Sequence, residues 1–167
     1  MRERATSDEV TGVWLRTATT GVAHMLIWGI SVVSWAGLGT ALPAAVWGAG
    51  VVIAALVGFG VLGWRWIRTR RLNLDLPAGG GTALGFRRSL LESWRLLTAA
   101  IGLGALIALL GTQLPIQGFD FVFFWIAAGL CAGGLGADRI DRRHGVVVAR
   151  RDCGRGLVVL TRAAATP

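Results

Sequence analysis

Residues 44–64 read AAVWGAGVVIAALVGFGVLGW, twenty-one positions without one charged side chain, and the run ends at Arg65. At 1.5 Å per residue a helix of that length reaches about 31 Å, the thickness of a bilayer's hydrocarbon core. Three further stretches have the same character and similar length: Gly21–Leu42, Leu96–Leu114 and Phe119–Ala137. All four are read as transmembrane helices. The first exceeds the roughly 7–15-residue apolar run of a secretory signal and a second span follows at once, so it is expected to be retained.

Composition supports this reading. Of 167 residues 54% are apolar and only 16% charged, against about 25% charge in a soluble domain, and the mean hydropathy is +0.62. The fold class expected is an all-α integral membrane protein with four spans arranged as two helical hairpins.

All 17 basic residues are arginine, set against nine carboxylates, for a formal charge of +8. Two readings of this compete, a GC-rich genome that encodes Arg in preference to Lys, which the absence of both Lys and Tyr favours, and a selected set of guanidinium contacts for phosphate groups; nucleic acid is not an expected partner. The arginines fall in three blocks: Arg2, Arg4 and Arg16 before the first span, Arg65 to Arg95 between the second and third, and Arg139 to Arg162 after the fourth. The connections around Pro43 and from Gln113 to Gly118 contain none. By the positive-inside bias both termini are expected in the cytoplasm, in a bacterial inner membrane.

The segments that follow are 1–20 as a cytoplasmic N-terminal segment, 21–64 and 96–137 as transmembrane hairpins, 65–95 as a basic loop and 138–167 as a basic tail. Ser7-Asp8-Glu9 reads as a helix start, with Val10, Val13 and Trp14 forming the apolar stripe of a short helix on the inner leaflet. Phe86 to Arg95 reads as a second surface helix. Between them Gly79-Gly80-Gly81 is a flexible linker, with no Lys-Ser/Thr to make a phosphate loop. In the tail, Arg142 four residues after Asp138 supports continued helix. Val146–Ala149 and Leu157–Leu160 read as a β-hairpin.

The two halves share Gly39-Thr40-Ala41-Leu42-Pro43 and Gly111-Thr112-Gln113-Leu114-Pro115, either a chance match of residues common at such turns or the trace of a parallel repeat about the membrane normal. Small residues recur at four-residue spacing: Gly50, Ala54 and Gly58 on the second span, Ala100, Gly104 and Ala108 on the third, Gly129 and Gly133 on the fourth. Such faces let backbones approach closely, either within the chain or against a partner. Trp64, Trp66 and Trp94 sit beside arginines as headgroup anchors. Trp28, Trp35, Trp47 and Trp125 lie deeper, as packing or as a stacking stripe for a pigment, quinone or lipid.

Polar groups at membrane depth are few. His24, expected about one turn into the first span, and Gln113, Gln117 and Asp120 are the candidate positions of a polar path or ligand site. The bland readings are an interfacial hydrogen bond for His24 and a helix cap for Asp120. Arg68, Arg70, Arg71, Arg87, Arg88, Arg142 and Arg143 are the candidate contacts to anionic lipid or a partner.

Catalytic constellations are missing. There is no HExxH motif, phosphate loop or nucleophile elbow. Cys131 and Cys153 lie 22 residues apart, which excludes a CxxC thiol pair and leaves too few ligands for a Cys/His metal site. The first span also lacks the glutamate of small multidrug exporters. No enzyme activity, catalytic residue, metal or cofactor is expected. The leading functional reading is a non-catalytic accessory or scaffold subunit of a larger membrane complex that docks through its small-residue helix faces and a basic cytoplasmic surface, with lipid and another membrane protein or a second copy as partners. The alternatives are a small homo-oligomeric transporter or channel, and a cofactor- or lipid-binding membrane enzyme subunit.

Overall fold

Long uncharged runs leave the backbone to satisfy its own hydrogen bonds, and helices result wherever they occur. The computed structural model describes residues 9–10, 12–37, 44–72, 82–83, 86–111, 117–144, 146–150 and 157–161. Helix α1 spans Val13–Gly37, α2 Ala44–Leu72, α3 Phe86–Glu92, α4 Trp94–Gly111 and α5 Gln117–Arg143. Three of them, α1, α2 and α5, are long and apolar enough to cross a membrane, and α3 with α4 makes a fourth if the bent pair is one span. The 68° bend between α3 and α4 falls at Ser93.

Helix boundaries differ from expectation mostly at the charged ends. Helix α2 runs eight residues past Trp64, so Arg65, Arg68, Arg70 and Arg71 stand on a helix rather than in a loop. Arginine stems carry their charge back to water while the helix continues. The N-terminal surface helix is replaced by a different arrangement. Glu9–Val10 is a short strand, β1, paired in parallel with β2, Thr82–Ala83. The helix then starts at Val13 and runs unbroken to Gly37. Trp14 and Leu15 are buried against other helices instead of lying on the leaflet. Ser7, Asp8, the Gly79–Gly81 linker and both Gly-Thr-x-Leu-Pro turns apart from Gly111 lie outside the described residues.

Packing sets the order of the helices. Helix α5 packs along both α1 and α2, and α1 packs along α4, giving the row α4, α1, α5, α2. Among the described residues no comparable face joins α1 to α2, α4 to α5 or α2 to α4. Chain neighbours are therefore not packing neighbours. Each helix pair expected as a hairpin has a helix of the other pair between its members. Exchanging the two halves would carry the α1–α5 interface onto α2 and α4, which share no such face, so the packing does not follow the repeat.

Contacts give the directions. Gly21 meets Ala127 and Cys131, while Gly134 meets Trp14 and Ala18, so α1 and α5 are antiparallel. Ala54 meets Gly129, Gly58 meets Gly133 and Leu62 meets Gly136, so α2 and α5 run parallel. Helix α3 also lies against α1, and β2 pairs with the strand just before it. The starts of α1, α3 and α4 and the ends of α2 and α5 thus share one end of the row. After α5, strands β3 (Val146–Arg150) and β4 (Leu157–Thr161) pair antiparallel, with Val148 opposite Val159. Strand β3 lies against α5 and α1 at that same end.

Candidate functional site

Helix α5 carries a buried carboxylate near each end, one tied to α1 and the other to α2. At one end Asp120, 1% exposed, accepts a short hydrogen bond from the Ser31 hydroxyl of α1, itself fully buried. The other Asp120 oxygen, Oδ1, is buried with no hydrogen-bond partner among the described residues. At the opposite end Asp141 is gripped by α2: Arg65 Nε donates to Asp141 Oδ1 at 2.7 Å, and Nη2 lies 2.5 Å from the same oxygen. The Trp14 indole of α1 interacts with the same carboxylate, short of full hydrogen-bond geometry. Asp120 and Asp141 stand 21 residues apart on one helix, about 31 Å along its axis. The two buried acids therefore bracket a stretch as long as a hydrocarbon core is thick.

Asp120 does not cap its helix. It lies in the first turn of α5, where the helix dipole favours its charge, but its carboxylate reaches across to Ser31 rather than to a backbone N–H of its own helix. Helix α1 starts at Val13, eight residues before the expected span, so His24 is eleven residues into the helix, about 16 Å along it. It is exposed, and its Nδ1 donates to the Thr20 carbonyl at 2.9 Å. His24 and Asp120 do not converge. Seven residues of α1 separate His24 from the serine that holds Asp120. Gln117 is the first residue of α5, with its side chain outside the described residues, and Gln113 lies outside them altogether.

The small residues sit at helix crossings inside the chain. A Cβ at Gly129 would stand 2.5 Å from the Ala54 carbonyl, and one at Gly133 would stand 2.9 Å from that of Gly58. Ala100, Gly104 and Ala108 are all buried, and a Cβ at Gly104 would meet the Ile27 backbone. Gly50 lies under the Trp125 ring. By contrast Gly48, Gly60 and Gly63 on α2 and Gly102 on α4 have open space beside them.

Near the Asp120 end, aromatic rings fill the seam between α2 and α5. Trp47 meets Phe121 edge-on at 5.2 Å, and Trp125 contacts Trp47, Phe121 and Phe124. Trp28 stacks on Phe123 at 5.1 Å. These rings are partnered by each other, as packing requires. The side chain of Trp35 lies outside the described residues.

Every described arginine lies at the end marked by Asp141. Arg68 lies over the Trp64 ring at 5.9 Å and Arg95 over Trp94 at 5.6 Å. Arg142 Nε donates to Asp138 at 2.7 Å. Arg87, Arg88 and Arg143 are exposed, while Arg70 and Arg71 stand on α2 with their side chains outside the described residues. Cys131 is a free, half-buried thiol. Among the described residues no three of His, Cys, Asp and Glu gather as metal ligands.

Sequence reasoning missed Ser31, Arg65, Asp141 and Trp14 as a set. A signal for two of them exists: Arg65 is the first charge after the second span, and Asp141 lies one membrane thickness from Asp120. Nothing in the sequence distinguishes Ser31 from other helix serines. No protein-family model, curated protein or solved structure matches this chain.

Proposed function

We propose that this chain is a non-catalytic membrane subunit that docks on a larger membrane complex, with its basic end in the cytoplasm of a bacterial cell. The observation that carries this reading is the asymmetry of the row. The two central helices are occupied on both sides, whereas α2 and α4 each pack extensively on one spanning neighbour. Both outer helices present long apolar side chains outward, among them Leu56 and Phe59 on α2 and Leu109 on α4. The small-residue stripes belong to the chain's own crossings, so docking falls to the outer faces, where Gly60, Gly63 and Gly102 leave room for another backbone. The buried carboxylates hold helices together.

Gentle extraction from native membranes, followed by mass measurement of the intact assembly, tests this. A larger membrane protein copurifying in fixed ratio is the expected result, and a lone monodisperse chain overturns it.

One observation favours a second reading, a homo-oligomeric transporter. An exposed ionisable group at mid-span is costly against lipid, and His24 is such a group. Copies meeting at that face of α1 would set several His24 rings around a path. Proteoliposomes of the pure chain would then pass an ion, and His24→Leu would abolish the flux.

A further inference from the structure

We infer that the two Arg–Trp pairs on the outer helices are binding sites for anionic phospholipid, one at each edge of the row. Arg68 and Trp64 stand on α2, Arg95 and Trp94 on α4, and these helices are the two ends of the order α4, α1, α5, α2. Both pairs lie at the same basic end. In each, the guanidinium rests over an indole that is more than half exposed, with Trp64 at 57% and Trp94 at 58%.

The chemistry fits a phospholipid on two counts. An indole prefers the headgroup level, so it fixes the height of the cation stacked on it. A guanidinium held there presents a fork of N–H donors to a phosphate. Beneath each pair the helix surface suits acyl chains. One turn below Trp64, Gly60 has open space beside it. Two turns into α4 from Trp94, on the same face, Ile101 is exposed. Charge above and apolar surface below, on one helix face, is the profile of a lipid seen from the side. This inference needs no protein partner and describes the undocked chain, since a partner seated at Gly60 would displace the lipid there.

The test uses the pure full-length chain in nanodiscs of phosphatidylcholine doped with phosphatidylglycerol, with retained lipid read by native mass spectrometry. Phosphatidylglycerol is expected above its bulk ratio. Arg68→Gln and Arg95→Gln should each lower that enrichment about fivefold, the worth of one arginine at an anionic surface. Trp64→Leu and Trp94→Leu leave the charge intact and should each lower it about threefold through loss of the stacking. Arg68→Lys and Arg95→Lys, which keep charge without the planar fork, should fall between wild type and the glutamine variants. Retention at the bulk ratio overturns the proposal. So do tryptophan variants that keep all their anionic lipid, since diffuse basic charge would then suffice. Nucleic acid retained in place of phosphatidylglycerol overturns it too.

Discussion

Arg65 on α2 and Asp141 on α5 form an ion pair whose two members are unequally sheltered: the arginine side chain is 15% exposed and the aspartate 3%. That inequality makes the two halves of the pair respond differently to mutation. Arg65→Gln strands a buried carboxylate and should cost about 3–5 kcal/mol. Asp141→Asn leaves a cation that can turn to water and should cost about 2 kcal/mol, the worth of a charged hydrogen bond. Unfolding in mixed micelles by denaturing detergent would measure both. Equal losses would show that the burial difference has no energetic weight.

The pair at the other end obeys a different rule, because both partners are buried. Ser31→Ala removes the sole hydrogen-bond partner of Asp120 among the described residues and should destabilise by about 1–3 kcal/mol. Replacing both, as Ser31→Ala with Asp120→Leu, leaves no orphaned polar atom and should be less harmful than the serine change alone. A double-mutant cycle reads the coupling, and strict additivity would refute it.

Glycines on the same protein should split into two classes. Gly129→Ala and Gly133→Ala drive a methyl into the backbone of α2 and should push α2 off α5, at a cost of about 1–3 kcal/mol each. Gly60→Ala and Gly63→Ala meet nothing and should stabilise by about 0.5–1 kcal/mol through helix propensity. Thermal unfolding of the four variants in one detergent gives the comparison. A uniform response would mean that the α2–α5 crossing is not as close as drawn.

His24→Leu should leave the isolated monomer at least as stable as the wild type, since it removes an exposed ionisable ring that is costly against lipid and that, among the described residues, bonds only to its own helix. A large loss of stability in the isolated monomer would place His24 in an internal contact instead.

Helices were the most legible part of this protein, since each uncharged run of about twenty residues became one. Their ends were less legible. Hydropathy stops at the first charge, whereas α2 and α5 continue through arginines and aspartates that find water or each other. At the candidate site, Asp120 stood out as a charge at membrane depth. Its partner Ser31 did not, because a helix serine ordinarily bonds to its own backbone, as Ser34 does to Ile30.

By itself the sequence determined where the chain is apolar and the blocks in which arginine occurs. Those are one-dimensional properties, and burial in lipid reads them directly. Tertiary structure alone decided which helices touch. Lipid offers no hydrophobic drive for helix association, so the partners are chosen by where backbones can approach and where buried polar groups can pair. Gly129 against Ala54, Gly104 against Ile27 and Asp141 against Arg65 are each contacts between residues 75 or more positions apart. They place α5 between α1 and α2, and α1 between α4 and α5, an interleaving that no pattern local to one helix encodes.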